Sequence, residues 1–358
     1  IRYQHRSILT SVDEKSSALT DKLMDDDTEC KVKVYNENFF IDLSRYRMIW
    51  TIEVGGEDAL SGVVENVNAA PGETVSVGLG LTKRDILAAA VRTLSSDAAC
   101  VKFNDADGLD TDIYLKVSWV LKVQDGLLPA GHEVAYDQLA IYEAPVFAFA
   151  AGSASSASLP EYENADGNAV FSGTFIYAKM AEGDRYAQWK AVFDKTTGAL
   201  TSYLIDGREI LKEALMPSFG RAPVENDLGA GLYDKFRMWR YPEYRPVSFD
   251  VQKSSDSYKV MTEYAPFGKF CSVTMMYHIY ADGAVRVSEK MNDKGSLSEA
   301  PDMFRFGMKL AMPGEFSTLD FYGLGPWDNY CDRKSGAIMG HYTQKVQDQY
   351  CYGYVRTQ

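Results

Sequence analysis

Through much of this chain apolar side chains return at every second position. In "YRMIWTIEV" (46–54), Tyr46, Met48, Trp50, Ile52 and Val54 share one face against Arg47, Thr51 and Glu53, the pattern of a strand with one wet side. Leu115, Val117, Trp119 and Leu121 alternate in the same way with Lys116, Ser118 and Lys122. Two strands, each centred on a tryptophan, predict the core of a small two-sheet sandwich. Further on, "KFCSVTMMYHIY" (269–280) gathers Cys271, Val273, Met275, Tyr277 and Ile279 on one face. Asp206-Gly207 and Asp282-Gly283 read as hairpin turns, because a tight turn needs positive φ. "DKTTG" (194–198) reads as a turn between Phe193 and "ALTSYLI". Only "TKRDILAAAVRTL" (82–94) looks helical, and a strand with its flanks fits it as well.

At 145–160, "PVFAFAAGSASSASLP" loses charge and fills with Ala, Ser and Gly, which predicts a domain boundary. The expected architecture is all-β, two sandwiches in tandem. The length of 358 residues accommodates two full cores, and 23 Tyr with 17 Phe suit sheets.

The net charge of -13, with no local Lys/Arg cluster, argues against a nucleic-acid partner. No stretch approaches the roughly 20 apolar residues that span a bilayer, so no membrane partner is expected. The N-terminus shows no signal-peptide pattern. The chain opens on Ile1 without a methionine and is read as cut from a longer polypeptide. Compartment therefore stays open, with cytoplasm and periplasm both compatible with the acidic charge. Five cysteines without a C-x-x-C pair predict buried thiols rather than a disulfide framework.

Candidate chemistry is sparse. His132-Glu133 opens like a zinc motif, but Tyr136 stands where the second His would fall, and no metal site is predicted. "NDADGLDTD" (104–112) departs from calcium-loop spacing and reads as a solvated turn. No nucleophile elbow, Walker loop or dinucleotide fingerprint occurs, so no cofactor is expected. His278 lies opposite Val273 and Tyr277 and reads as structural. Two segments hold more. "MPSFGRAPVENDLGAG" (216–231) sets Arg221, Glu225, Asn226 and Asp227 between Pro223 and the glycines Gly229 and Gly231, and function and structure explain it about equally. "YGLGPWDNYCDRKSG" (322–336) joins Trp327 to Asp328, Asp332, Arg333 and Lys334 in a turn-rich stretch that suits a sugar face or a packed corner.

"GRAPVENDLG" (220–229) resembles the R-A-P-x-D-N-D-x-G signature of the C-terminal β-sandwich of glycoside hydrolase family 2 β-galactosidases, with Glu225 where Asp is usual. "YGLGPWDNYCDRKSG" is similar to the G-x-G-P-x-E-N-Y-x-D-R motif of that domain, with Asp328 for Glu and Cys331 for Pro. "VKVYNENFFIDLSRYRMIWTIEVGGE" (32–57) and "LLPAGHEVAYDQ" (127–138) resemble the preceding immunoglobulin-like domain. The resemblance implies an immunoglobulin-like sandwich over 1–146, a linker over 147–165, and a galactose-mutarotase-like supersandwich over 166–358, incomplete at its C-terminus.

It further implies that the acid/base and nucleophilic glutamates, about 5 Å apart in a retaining enzyme, belong to a TIM barrel outside this chain. No catalytic residue is assigned here, and the fragment alone is expected to be inactive. The barrel and a galactoside are the implied partners, and a homo-oligomeric parent stays open. Asn226, Asp227 and Gly229 match their motif positions. With Arg221, Glu225 and Trp327 they are the candidates for an active-site rim that shifts during turnover or for sugar contact. Arg333 is expected to pair with Asp328 or Asp332, with Trp327 packed. Two alternatives stand beside this reading: a stand-alone carbohydrate-binding module, or the small subunit of a split β-galactosidase. An aldose epimerase would need His278 and a carboxylate to meet in one cleft.

Overall fold

The computed structural model describes residues 3–13, 27–96, 111–144, 159–178, 185–327, 329 and 334–349. The fold is all-β, as the alternation predicts, and divides into two compact units. The first comprises Ile1–Phe147 with Thr318–Lys345, and the second Ala148–Ser317 with Val346–Gln358.

In the first unit, strands β1 (Ile8–Val12), β2 (Glu29–Asn36), β3 (Tyr46–Val54), β4 (Glu57–Val64), β5 (Thr74–Thr82), β6 (Ile113–Leu121) and β7 (Glu133–Tyr142) form two sheets, ordered β1-β2-β5 and β4-β3-β6-β7. Strands β3 and β6 pair so that Met48 opposes Trp119 and Trp50 opposes Val117. Both tryptophans are buried among Val32, Val34, Leu115 and their neighbours, which is the predicted core. The ambiguous stretch at 82–94 is a helix, α1 (Lys83–Ser96). Its start explains why: Thr82 and Asp85 exchange backbone and side-chain hydrogen bonds as a capping pair. Ile86, Ala89 and Ala90 then fall on one buried stripe.

In the second unit, β8 (Glu161–Ala165), β9 (Asn168–Ala178), β10 (Arg185–Asp194), β11 (Ala199–Ile205), β12 (Arg208–Glu209) and β13 (Glu213–Pro217) precede the short helices α2 (Glu225–Gly229) and α3 (Leu232–Lys235). Then come β14 (Pro246–Lys253), β15 (Ser257–Tyr264), β16 (Cys271–Tyr280), β17 (Val285–Asp293) and β18 (Met308–Ala311). One sheet runs β18-β13-β11-β10-β9-β8 with β12 beside β11, and the other runs β14-β15-β16-β17. Phe171, Trp189 and Phe193 of the first meet Tyr264, Met275, Tyr277 and Ile279 of the second in a common core. All five residues that the alternation grouped on β16 are buried. Asp206 and Gly207 both adopt positive φ, 48° and 79°, and close the two-residue hairpin β11–β12. Asp166-Gly167 makes the same turn between β8 and β9. The Asp282-Gly283 connection is longer, with positive φ at Gly283 alone, where a Cβ would meet the Trp189 ring at 2.9 Å. Strand β8 occupies the end of the segment read as linker, and residues 145–158 lie outside the described residues.

The antiparallel hairpin β19 (Thr318–Gly325) and β20 (Ile338–Lys345) belongs to the first unit. Gln138 of β7 exchanges two hydrogen bonds of 2.7 Å with the Met339 backbone and donates a third to Glu53. The Tyr136 hydroxyl donates to the Gly336 carbonyl. Glu53, expected on a wet face, is consequently buried, and loss of water pushes its carboxyl above the ordinary value.

Candidate functional site

The segment after β13 is built from its aromatic floor upward. Phe219 is buried against Trp239 and Phe267, and the Trp239 indole donates to the Pro301 carbonyl at 2.8 Å. Gly220 passes so close to Arg240 that an added Cβ would lie 3.0 Å from its Cα. The chain then runs extended to Val224 and turns into α2, so the expected loop contains one helical turn. Asp227 closes that turn by accepting the Val224 amide at 2.8 Å. Gly231, at φ 65°, sits in the left-handed region between α2 and α3.

Arg221 grips Asp227 through two hydrogen bonds, Nη1 to Oδ2 at 2.6 Å and Nη2 to Oδ1 at 3.2 Å, and its guanidinium lies over the Phe304 ring. Asp227 is only 6% exposed. A carboxylate spent on a planar fork and a backbone amide is an anchor, not a free base. Glu225, Asn226 and Gly229 stand at the surface of the same turn, and a Cβ at Gly229 would meet nothing.

Trp327 lies elsewhere, in the turn of the first unit's hairpin, and is 75% exposed. Asn329 clips this turn by donating to the Leu324 and Trp327 carbonyls. The indole is thus presented to solvent rather than packed. Asp328, Cys331, Asp332 and Arg333 lie outside the described residues, as do residues 104–110 of the carboxylate-rich stretch.

His278 is flanked across its strands by Lys259 and Arg286. Burial and these two cations lower its pKa, against a smaller pull from Asp256. It is a poor partner for acid/base work at a sugar. Among the described residues no group of three His, Cys, Asp or Glu side chains is placed to hold a metal ion. No helix among them is long and apolar enough to cross a membrane.

One cluster carries no sequence signal, because its members are far apart in the chain. His341 of β20 lies 2.5 Å from Asp320 of β19 and 3.4 Å from Glu57 of β4. The hydrogen bond to Asp320, and then that to Glu57, raise the imidazole pKa. Thr343 and His341 in turn lower that of Asp320.

Two all-β sandwich units, one with a charge-clipped turn and the other with an exposed indole, define a scaffold class that displays residues on rigid sheets. Residues 185–358 match the family model described as Beta galactosidase small chain, and residues 32–142 match Beta-galactosidase, domain 4. The chain belongs to the β-galactosidase family, as a C-terminal portion. It is 27% identical over 326 residues to a β-galactosidase of Priestia megaterium, covering 90% of this chain and 28% of that protein. Identity to the Halalkalibacterium halodurans β-galactosidase is 25% over 321 residues, covering 88% and 28% respectively. A Lactobacillus delbrueckii subsp. bulgaricus β-galactosidase is 30% identical over 167 residues, 45% of this chain and 16% of that protein. The chain thus spans under a third of the length of these relatives.

Proposed function

We propose that this chain is a non-catalytic region of a retaining β-galactosidase, which supports a catalytic barrel supplied by the rest of the polypeptide and contributes to the rim of its active site. The Arg221–Asp227 fork carries this reading: it fixes a single helical turn that holds Glu225 and Asn226 at the surface, within the part of the chain that matches the small-chain family. A rigidly held polar turn is what positioning a galactoside hydroxyl requires. A chromogenic β-galactoside incubated with this chain alone and with the full-length enzyme tests the division of labour. Turnover by the full-length enzyme only is expected, whereas turnover by this chain would overturn it. In the full-length enzyme, Asn226→Ala is expected to lower kcat/KM by about 3- to 10-fold, the worth of one hydrogen bond. Unchanged kinetics would remove Asn226 from the rim.

The exposed Trp327 ring favours a second reading, a sugar-binding module, because an accessible indole offers a flat apolar face to a pyranose. Quenching of tryptophan fluorescence by galactose or lactose in this chain, abolished in Trp327→Ala, would support it.

A further inference from the structure

We propose that Glu289 is a proton-operated latch in the second unit: held as a neutral acid beside Tyr244 and Tyr277, it lets the aromatic floor beneath residues 218–239 pack, and its ionisation loosens that floor. The register places it. On β17, Val285, Val287, Glu289 and Met291 alternate toward the core, and Glu289 opposes the buried Met275 of β16. A carboxyl therefore occupies a position that the strand's period reserves for an apolar side chain.

Neither carboxyl oxygen reaches water or a hydrogen-bond partner among the described residues, and the same is true of the Tyr244 and Tyr277 hydroxyls. Three neighbouring polar groups left unpaired in one core are unusual, since buried polar atoms are nearly always paired. That they are neighbours follows from electrostatics: a charge on Glu289 disfavours ionisation of both tyrosines. The groups facing this region are Tyr244 ahead of β14, Tyr264 on β15, and Tyr277 and Cys271 on β16. Tyr264 is satisfied by the Thr197 carbonyl. Arg286 and Lys290, beside Glu289 in sequence, point to the exposed face of β17. Desolvation thus acts on Glu289 unopposed and pushes its pKa up to about 7.

Tyr244 links the latch to the candidate site. It packs edge-on to Tyr264 and also joins the cluster of Phe219, Phe236, Trp239 and Phe267. Met291, two residues from Glu289 on the same face, packs on that cluster as well. A carboxylate formed there has to find water, and on this inference the rings packed on its face shift to admit it.

The inference relies on the proposed function only for its consequence at the rim, and the test reads Glu289 without any sugar. Hydrogen exchange of the whole chain, corrected for intrinsic rates, is compared at pH 6 and pH 8. With a folded value near 7 against an ordinary 4.5, protection within 218–240 and 271–291 should fall about tenfold. Glu289→Gln should show no such fall. An equal fall in the variant, or none in either protein, would overturn the latch. In case the variant folds poorly, infrared pH-difference spectra of the unmodified chain with carboxyl-labelled glutamate supply a second measurement. One glutamate titrating near neutrality is expected, and none would overturn the proposal.

Discussion

Arg221 and Asp227 behave as one unit, because the nearly buried Asp227 carboxylate would lose its charged partner without the more exposed Arg221 guanidinium. Arg221→Ala should cost about 1.5–3 kcal/mol, the range for a hydrogen bond to a charged group, by urea unfolding. Asp227→Ala should cost about as much, and the double variant little more than either, since the singles already break the shared contact. Lysine at 221 cannot reproduce the two-pronged geometry and should not restore the loss. Glu225→Gln, at the surface of the same turn, should change stability by less than about 0.5 kcal/mol. His341 makes a different kind of contact, one that responds to pH. Its folded pKa lies above the ordinary 6.5, so its contribution is full below that value and fades as pH rises through the raised one. Asp320 lies below its ordinary 3.8, so its share is present above that value and is lost as pH falls through the lowered one. The contact should hold best in mildly acidic solution between the two. Thermal unfolding from pH 5 to pH 8 should therefore fall more steeply in the unmodified chain than in His341→Ala.

The element most dependent on its docking is the β19–β20 hairpin. Gln138 fastens it with two hydrogen bonds to the Met339 backbone and donates a third to buried Glu53. Gln138→Ala should cost about 1–3 kcal/mol, because it leaves a buried carboxyl and a strand amide unsatisfied together. Exchange at the Met339 amide should accelerate with it. Gly56, at φ 90°, lets the β3–β4 turn approach this hairpin: a Cβ there would lie 2.6 Å from the His341 amide nitrogen. Gly56→Ala should cost a further 1–3 kcal/mol, roughly the scale of local backbone strain. On the Arg221 turn, the glycine and proline density reads as a loop in the sequence. The single turn of helix at 225–229 comes instead from the Asp227 cap, a bond that depends on the path of the chain before it.

At the scale of the whole molecule, the two units have separate cores, the first around Trp50 and Trp119 and the second around Phe193 and Tyr277. Calorimetry should separate their responses, with His341→Ala shifting the melting of the first and Glu289→Gln that of the second. A common shift in both variants would mean that the units unfold together. Alternation of side chains by itself determined the all-β class, the strands around Trp50, Trp119 and Tyr277, and the Asp206-Gly207 hairpin, because period two and positive φ are local demands that a sequence displays directly. The motif at 220–229 likewise marked the candidate turn. Only the tertiary structure decided that Asp227 is an anchor, that Glu53 lies under a hairpin, that His341 meets Asp320 and Glu57, and that Glu289 faces a core. Each of these depends on which distant segment comes to lie over a given face, and local spacing carries no record of that.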